Sequence, residues 1–318
     1  MCVSKLHQVI IFINFFVPLT VTIFICPYFI KKFIERGFVV KDYHKKNLTM
    51  VPTYGGLLIL FASFFSISLN PMFFKLSIQN YVCMLVIISF GLFGLIDDMI
   101  NIGQLAKLCI MYYCSYPLIQ CVTHTAIIIP SIGNIEFGIF YLQFIVPTFV
   151  LVVSNLINMH AGFNGLDSGL SIIILISLIL KSILVNDVEN IIVIISLAGA
   201  LVGYFVYERY PSSIFLGNIG SLSIGAAIGV TIVIQSFLIS GLIMLLPHTV
   251  NFLMYVYWKW NKSPDVEFAK VRYDGTLEVP NRLTLKWFLP YYYNITEKQA
   301  TYSMYFLTGI CCLASFFV

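Results

Sequence analysis

The sequence predicts an all-α polytopic membrane protein with about ten transmembrane helices in a single domain, residues 1–318. Three observations predict this class: 59% of the residues are hydrophobic, only 10% are charged, and the mean hydropathy is +0.93. A soluble domain is about half apolar and about a quarter charged, so the composition excludes an ordinary soluble protein. In such a chain a net charge of +4 does not indicate nucleic-acid binding, and no nucleic-acid partner is predicted.

Ten apolar stretches predict the helices, since a helix needs about 20 apolar residues to cross the lipid bilayer. Only Gln235–Ser240 separates the eighth stretch from the ninth, and Pro130–Gly138 predicts a short β-like or irregular excursion between the fourth and the fifth. The predicted spans are residues 8–30, 54–70, 79–96, 107–122, 140–157, 168–186, 190–207, 219–235, 238–257 and 301–318.

The distribution of lysine and arginine predicts the orientation of these spans. With ten spans, only Lys5, Lys75 and Lys181 fall on one side of the membrane, and every other basic residue falls on the opposite side. Cytoplasmic loops carry the excess of basic residues, so the basic side is predicted to be cytoplasmic and both termini to lie outside. The predicted cytoplasmic loops lie near residues 31–53, 97–107, 158–168, 208–218 and 258–300.

An acidic pair, Asp97–Asp98, ends the third predicted span, and Lys107 begins the fourth. Charges at this depth are costly and by default indicate a functional site. Two carboxylates can bind a hard divalent cation, and one can act as a base or nucleophile in phosphoryl chemistry. The alternatives are a helix-end pair that merely faces water and a lysine that anchors its helix at the interface.

A second polar segment runs from Asn155 to Asp167. Asn155 and Asn158 are three residues apart and therefore share a helix face. Beyond them the helix breaks, and Gly165 can bring backbone amides close to a ligand. Asparagine side chains, including Asn164, suit a nucleobase edge, a sugar or neutral oxygen ligation of a metal, whereas the alternative is a plain turn.

A third polar segment precedes the eighth span. Gly217, Gly220 and Ser221 open that span, and a helix N-terminus presents free amides to an anion. Phe215 can stack on a base. The alternative, a glycine-rich helix-packing motif, fits Gly225 and Gly229 better than it fits the opening of the span.

Two basic loops complete the candidate site. In the first predicted cytoplasmic loop, Lys45 and Lys46 precede PTYGG and could hold a diphosphate. In the last, Lys270 and Arg272 precede an aromatic run typical of a membrane interface. For both loops, an ordinary cytoplasmic anchor is the alternative.

Taken together, PTYGG, GLIDDMIN…AK, NLINMHAGFNGLDSG and FLGNIGSLSIGA resemble the polyprenyl-phosphate N-acetylhexosamine-1-phosphate transferases, glycosyltransferase family 4. The resemblance covers nearly the whole chain, in the same order. The AGxNGL form and the DGTLEVPN…PYYYNITEKQA tail look most like the dolichyl-phosphate UDP-N-acetylglucosamine phosphotransferases of the archaeal-type branch.

The resemblance implies transfer of N-acetylglucosamine-1-phosphate from UDP-N-acetylglucosamine to a polyprenyl or dolichyl phosphate, with release of UMP. This is the first membrane step of lipid-linked oligosaccharide synthesis for protein N-glycosylation, here at a cytoplasmic active site in the plasma membrane. It also implies Mg²⁺ as the cofactor, with Mn²⁺ as an alternative. By position, the resemblance implies these roles: lipid-phosphate chemistry for Asp97 and Asp98, phosphate contact for Lys107, metal binding for Asn158 and for the position of Asn218, nucleotide recognition for Asn164, and uracil stacking for Phe215. Asp97 is a further candidate metal ligand, and Asn155 and Gly165 are further candidate substrate-binding residues.

Two departures from the family pattern stand out. The metal-binding aspartate of the family is here Asn218, which offers a neutral oxygen and no charge. The family's sugar-binding signature in the last loop is absent, and Lys270 and Arg272 are the candidate substitutes. The alternatives are therefore a bacterial-type peptidoglycan or polysaccharide sugar-1-phosphate transferase, or an inactive nucleotide- or lipid-binding descendant. Small residues such as Gly225 and Gly229 would also allow a homodimer.

Overall fold

The computed structural model describes residues 5–45, 48–73, 75–100, 102–129, 132–261 and 268–318, except for the side chains of residues 5–7. Long apolar runs form helices over most of this part of the chain, and α1 continues through Pro18 and Pro27. Within it, twelve α-helices follow one another: α1 (Lys5–Glu35), α2 (Gly56–Leu69), α3 (Ile78–Ile100), α4 (Gln104–Ser115), α5 (Val146–Met159), α6 (Leu166–Leu184), α7 (Ile192–Glu208), α8 (Gly217–Ile234), α9 (Leu238–Met244), α10 (Leu246–Trp260), α11 (Leu285–Tyr292) and α12 (Glu297–Ala314).

Three short antiparallel hairpins connect the helices. Strands β1 (Val39–Lys41) and β2 (Met50–Pro52) form the first, β3 (Ala126–Ile129) and β4 (Gly133–Glu136) the second, and β5 (Lys270–Val271) and β6 (Leu277–Glu278) the third. The second hairpin confirms the β-like excursion between the fourth and fifth spans, although it begins before Pro130.

The chain is an integral membrane protein, but the structure does not reach ten spans. In the described residues, seven helical segments are long and apolar enough to cross a membrane, or eight if α9 and α10, which meet at 63°, form one bent span. The predicted spans 54–70 and 107–122 correspond to α2 and α4, of only 14 and 12 residues. About 20 residues are needed to cross, so length accounts for the difference. Orientation and the location of the termini stay predictions.

Helix α8 lies at the centre of the bundle, and 83% of it is buried inside the protein. Its small residues allow close approach of neighbouring helices, which is how helices associate in membranes. A Cβ on Gly225 would lie 2.6 Å from Ser154 Cα, and one on Gly229 would lie 3.1 Å from Val150 Cα, both on α5. These two glycines are therefore used inside the chain and provide no dimer surface. The homodimer stays a prediction.

The N-terminal end of α8 is held by two further helices. A Cβ on Gly94 of α3 would lie 2.4 Å from Asn218 O, and one on Gly56 of α2 would lie 2.3 Å from Gly220 Cα. Only glycine leaves room for these approaches. The ends of α2, α3 and α8 consequently meet at one point, where the acidic pair lies.

A second, smaller core supports this end of the bundle. It joins the segment after Met159 to α10, the third hairpin, α11 and α12. Its buried residues are Phe163, Leu166, Leu170, Trp258, Ala269, Leu277, Trp287, Ala300 and Met304.

Candidate functional site

The acidic pair at the end of α3 meets the first turn of α8. Gly217 has φ of +69°, a left-handed conformation that turns the chain into α8. The backbone N–H of Asn218 then donates to Asp98 Oδ2 at 2.9 Å. Free amides at a helix N-terminus favour a negative charge, so α8 stabilises the Asp98 carboxylate.

Asp97 lies deeper than Asp98, with only 6% of its surface exposed. Its Oδ2 accepts from Lys107 Nζ at 2.6 Å and from Asn218 Nδ2 at 3.0 Å. Its Oδ1 is buried and has no hydrogen-bond partner among the described residues. Since a buried carboxylate oxygen without a donor is costly, Asp97 has an oxygen available to a cation or a proton donor.

Asn158 joins this network from α5. Its Nδ2 donates to Asn218 Oδ1 at 2.7 Å and to Ser221 Oγ at 2.8 Å. The structure therefore brings together four of the predicted residues, Asp97, Lys107, Asn158 and Asn218, from four different helices.

These residues suit a magnesium ion whose remaining ligands come from substrate phosphates. The described residues contain no group of three or more His, Cys, Asp or Glu side chains that could hold a metal. Mg²⁺, however, is usually bound through one or two carboxylates together with waters and substrate phosphates. The free Oδ1 of Asp97 supplies one such ligand. The amides of Asn158 and Asn218 can each rotate to present oxygen instead of nitrogen.

A cavity of about 280 Å³ opens beside the network. Of the predicted residues, Asp98, Asn158, Phe215 and Asn218 line it. Phe215 is fixed by its backbone, because its N–H donates to Pro52 O at 2.8 Å and its carbonyl accepts from Gly55 N at 2.9 Å. The PTYGG segment thus positions the aromatic ring predicted to stack on a base.

Two of the predicted asparagines and their glycine lie outside the cavity. Asn155 Nδ2 donates to Leu151 O at 2.9 Å, within α5. Asn164 is 2% exposed. Its Nδ2 donates to Glu297 Oε1 at 2.9 Å, and its Oδ1 accepts from Ser212 N at 2.7 Å. Gly165, with φ of +71°, is the residue from which α6 begins. Nucleotide recognition by Asn164 and substrate binding by Asn155 and Gly165 stay predictions.

The described members of the predicted basic residues in the two loops also lie away from the cavity wall. Lys45 Nζ is 3.2 Å from Asp42 Oδ2 and donates to Ser212 O at 2.9 Å. Lys270 lies on β5, and Arg272 Nη1 donates to Asn294 Oδ1 at 2.6 Å. Lys46 is outside the described residues.

Several residues that sequence reasoning did not assign to the site line the cavity: Lys41, Asp42, Tyr43, His44, Asp167, Glu208 and Phe268. The rings of Tyr43 and Phe268 stack with centroids 3.9 Å apart, so they close one side of the cavity. Asp42 belongs to the same basic loop as Lys45, Asp167 ends the second polar segment, and Glu208 begins the third. For Phe268, no local sequence motif indicated a position in the cavity wall.

Lys286 is a further missed residue, on α11. Its amine donates to Ala161 O and lies 5.8 Å from the centre of the Phe163 ring. Burial lowers the pKa of Lys286 to about 8, and the nearby Asp167 opposes this shift. A half-buried lysine therefore holds the loop before α6 from the far end of the chain.

A family model and several known proteins are similar to this chain. Residues 80–236 match the family model described as Glycosyl transferase family 4. A protein of Sulfolobus acidocaldarius, provisionally named UDP-N-acetylglucosamine–dolichyl-phosphate N-acetylglucosaminephosphotransferase, is 34% identical over 79% of this chain and 79% of its own length. A protein of the same provisional name from Saccharolobus solfataricus is 32% identical over 86% and 85%. A phospho-N-acetylmuramoyl-pentapeptide-transferase of Clostridium kluyveri is 30% identical over 56% and 60%.

Proposed function

Because the chain belongs to glycosyl transferase family 4, we propose that it transfers N-acetylglucosamine-1-phosphate from UDP-N-acetylglucosamine to a polyprenyl phosphate, dolichyl phosphate in particular. The names of the two archaeal relatives supply these substrates. One observation carries the proposal: Asp97 and Asp98 meet the N-terminus of α8 beside Lys107 and Asn158, at a cavity that Phe215 lines.

The reaction is a direct displacement at phosphorus. An oxygen of the lipid phosphate attacks the β-phosphorus of the donor and forms a new P–O bond. The bond from the β-phosphorus to the bridging oxygen breaks, and UMP leaves with that oxygen. Asp98 lines the cavity, whereas Asp97 is buried against Lys107. We therefore assign to Asp98 the removal of a proton from a singly ionised lipid phosphate, while a doubly ionised one attacks without such help.

The remaining residues position the substrates and balance charge. Phosphoryl transfer depends mostly on positioning and electrostatic stabilisation. The Lys107 ammonium group lies 2.6 Å from Asp97 Oδ2. When another cation binds the Asp97 carboxylate, this ammonium group can turn to a substrate phosphate. Phe215 stacks on uracil. When bound, Mg²⁺ would neutralise the diphosphate, and Asp97, Asn158 and Asn218 would hold it.

The basic residues support a cytoplasmic location for the reaction. The cavity lies at the end of the bundle that carries the loops rich in lysine and arginine, which supports a cytoplasmic site. We place the protein in the plasma membrane, by analogy with archaeal relatives, and its product at the start of lipid-linked oligosaccharide synthesis for protein N-glycosylation.

UMP release by the purified protein tests the proposal. We expect release to need both dolichyl phosphate and UDP-N-acetylglucosamine, and to rise with added Mg²⁺. Asp98→Asn should lower kcat at least about a hundredfold, because it removes the base and a cavity charge. Asp274→Asn, in the exposed turn of the third hairpin, is the matched control and should keep full activity. Wild-type turnover in Asp98→Asn would refute the assignment.

Asn218 favours one second candidate, a descendant that binds nucleotide or lipid without transfer. The amide removes the charge that the family aspartate would give the metal. UDP binding without UMP release at any Mg²⁺ concentration would support this candidate. The bacterial relatives supply a further alternative, a peptidoglycan-type or polysaccharide sugar-1-phosphate transferase, which a panel of UDP-sugar donors would distinguish.

A further inference from the structure

A second groove, of about 480 Å³, lies between the C-terminal end of α7 and the N-terminal end of α12. It shares no lining residue with the cavity of the candidate site. Asn164, at the start of the turn into α6, lies in its wall. The groove therefore borders the loop of the candidate site from another side.

Two cations line this groove, Arg209 and Lys298, and the side chains of both are exposed. No ion pair involving either occurs in the part of the chain that the structure describes. The nearest carboxylate on α12, Glu297, is buried and turned to Asn164, whose backbone N–H donates to Glu297 Oε1 at 2.6 Å. The groove thus offers two positive charges that the described residues do not neutralise.

A buried hydroxyl group in the same groove also lacks a partner. Thr301 is only 3% exposed, and its Oγ1 forms no hydrogen bond among the described residues. Its hydroxyl can donate to an anion, and donors left unpaired in a buried position are costly. Tyr305 Oη, beside it, is already committed as a donor to Gly165 O. Among the described residues, Thr301 therefore gives the groove a buried donor without a partner.

The groove adjoins exposed apolar side chains of α7 and α12. Helices α7 and α12 both lie in segments long and apolar enough to cross a bilayer. Of the lining residues, Val206 is 46% exposed and Tyr302 56%, and Phe306, four residues beyond Tyr302 on α12, is 73% exposed. A ligand with a phosphate at Arg209 and Lys298 could lay acyl chains along this apolar surface. A free phosphate ion, which has no acyl chains, could bind only at the polar part of the groove.

We propose that this groove binds the phosphate of an anionic membrane phospholipid. Basic pockets between transmembrane helices bind anionic headgroups through the same combination of charge and adjoining apolar surface. Arg209 is suited to the phosphate because its guanidinium donates two parallel hydrogen bonds. Thr301 donates a third.

Lipid in the groove also stabilises the loop before α6. A Cβ on Gly165 would lie 3.0 Å from Arg209 Cα, and the Gly165 carbonyl is held by Tyr305. A lipid that immobilises Arg209 and α12 therefore also immobilises the turn at Gly165. This turn follows the cavity-lining residues Gly162 and Phe163. This second consequence rests on the proposed function, whereas lipid binding itself does not.

Lipid retention tests the proposal without any substrate. The delipidated full-length protein is titrated with phosphatidylglycerol, phosphatidylcholine or inorganic phosphate and observed by native mass spectrometry. We expect phosphatidylglycerol to be retained preferentially. Arg209→Gln and Lys298→Gln should each weaken its retention about five- to tenfold, the contribution of one basic residue near an anionic headgroup. Thr301→Val, nearly isosteric, should also weaken it.

Two matched variants make the test specific. Arg36→Gln and Lys31→Gln remove exposed basic residues at the end of α1, the same end of the bundle. They should leave retention unchanged. Equal loss in these controls, undiminished retention in Arg209→Gln and Lys298→Gln, or equal retention of both lipids would overturn the proposal. Binding of inorganic phosphate as tight as that of phosphatidylglycerol would overturn the assignment to a lipid.

UMP release in nanodiscs then tests the effect on the loop. Phosphatidylglycerol added to phosphatidylcholine should raise the wild-type rate several-fold and leave Arg209→Gln unchanged. An equal rise in both would contradict the coupling to the loop. If neither lipid supports UMP release, the proposed function fails, while the retention result stands on its own.

Discussion

Asn218 connects the acidic pair with α5. Its backbone donates to Asp98, its Nδ2 to Asp97, and its Oδ1 accepts from Asn158. Because a neutral amide both donates and accepts hydrogen bonds, Asn218 satisfies all three of these partners without a metal ion. An aspartate here would place a second carboxylate against Asp97 and would need a cation between them.

Asn218→Asp should therefore make stability dependent on Mg²⁺. We expect the variant to lose about 1–3 kcal/mol of unfolding free energy in metal-free buffer, since a hydrogen bond becomes a repulsive contact. Added Mg²⁺ should restore it. Thermal unfolding in detergent, with and without Mg²⁺, measures both effects. Asn134→Asp, on exposed β4, is the control, and an equal response in it would contradict this account.

We expect the buried His44 imidazole to make the stability of the protein depend on pH. Burial, together with the charge of Lys286, lowers the pKa of this cavity-lining imidazole to about 4, and Asp42 opposes the shift. Between pH 6.5 and 4 the unfolded chain takes up a proton that the folded protein excludes. Stability should therefore fall as pH falls through this window, by up to about 3 kcal/mol.

Substitution of His44 tests whether this residue causes the loss of stability at acid pH. His44→Gln should show a shallower loss of unfolding midpoint between neutral and acid pH than the wild type, measured by thermal unfolding in detergent. His124→Gln, at an exposed position, should keep the wild-type slope. Identical slopes for His44→Gln and the wild type would show that the acid sensitivity arises elsewhere.

At the level of elements, the contact between α3 and α8 decides whether the acidic pair meets the first turn of α8. Gly94→Ala should force the helices apart, since its Cβ would lie 2.4 Å from Asn218 O. Overpacking of this kind costs about 1–3 kcal/mol. We expect a lower unfolding temperature and a loss of UMP release greater than the loss of stability accounts for.

Gly103→Ala provides the matched comparison. A Cβ on Gly103 meets nothing within 4 Å, and its backbone is extended, so alanine fits without strain. The variant should behave as the wild type in both assays. If Gly94→Ala retains full activity, the close approach of α3 to α8 is not needed for the reaction.

Helix ends show what the sequence could and could not predict. Gln235–Ser240 was the predicted break after the eighth span, and α8 indeed ends at Ile234. Helix α4 ends at Ser115, because a 3-10 turn with Pro117 follows. The bend of 63° between α9 and α10 comes just before Pro247, at the first turn of α10. Hydropathy counts apolar residues but does not register such breaks.

At the scale of the whole molecule, the candidate site was predictable where its chemistry is local. Asp97, Asp98, Asn158, Phe215 and Asn218 stand in short motifs, and the structure gathers them at one end of the bundle. Pairings across long stretches of sequence were not predictable. Asn164 bonds to a carboxylate 133 residues away, and Lys286 reaches a carbonyl 125 residues away. A single sequence contains no information on such partners.

The small second core makes the C-terminal third of the chain a support for the site. Trp287, 2% exposed, packs against Trp258 with ring centroids 5.8 Å apart and belongs to the same cluster as Phe163 of the cavity wall. Lys286, its neighbour in sequence, donates to Ala161. Loss of the tryptophan should therefore loosen α11 and, through it, the loop before α6.

Trp287→Ala should cost about 3–5 kcal/mol and weaken UDP binding, although Trp287 does not line the cavity. Limited proteolysis with mass spectrometry should find faster cleavage within residues 268–300, and titration with UDP should give a higher Kd. Trp260→Ala is the control, since Trp260 is 84% exposed and should change neither. Faster cleavage with an unchanged Kd would mean that the tail folds against the bundle without supporting the site.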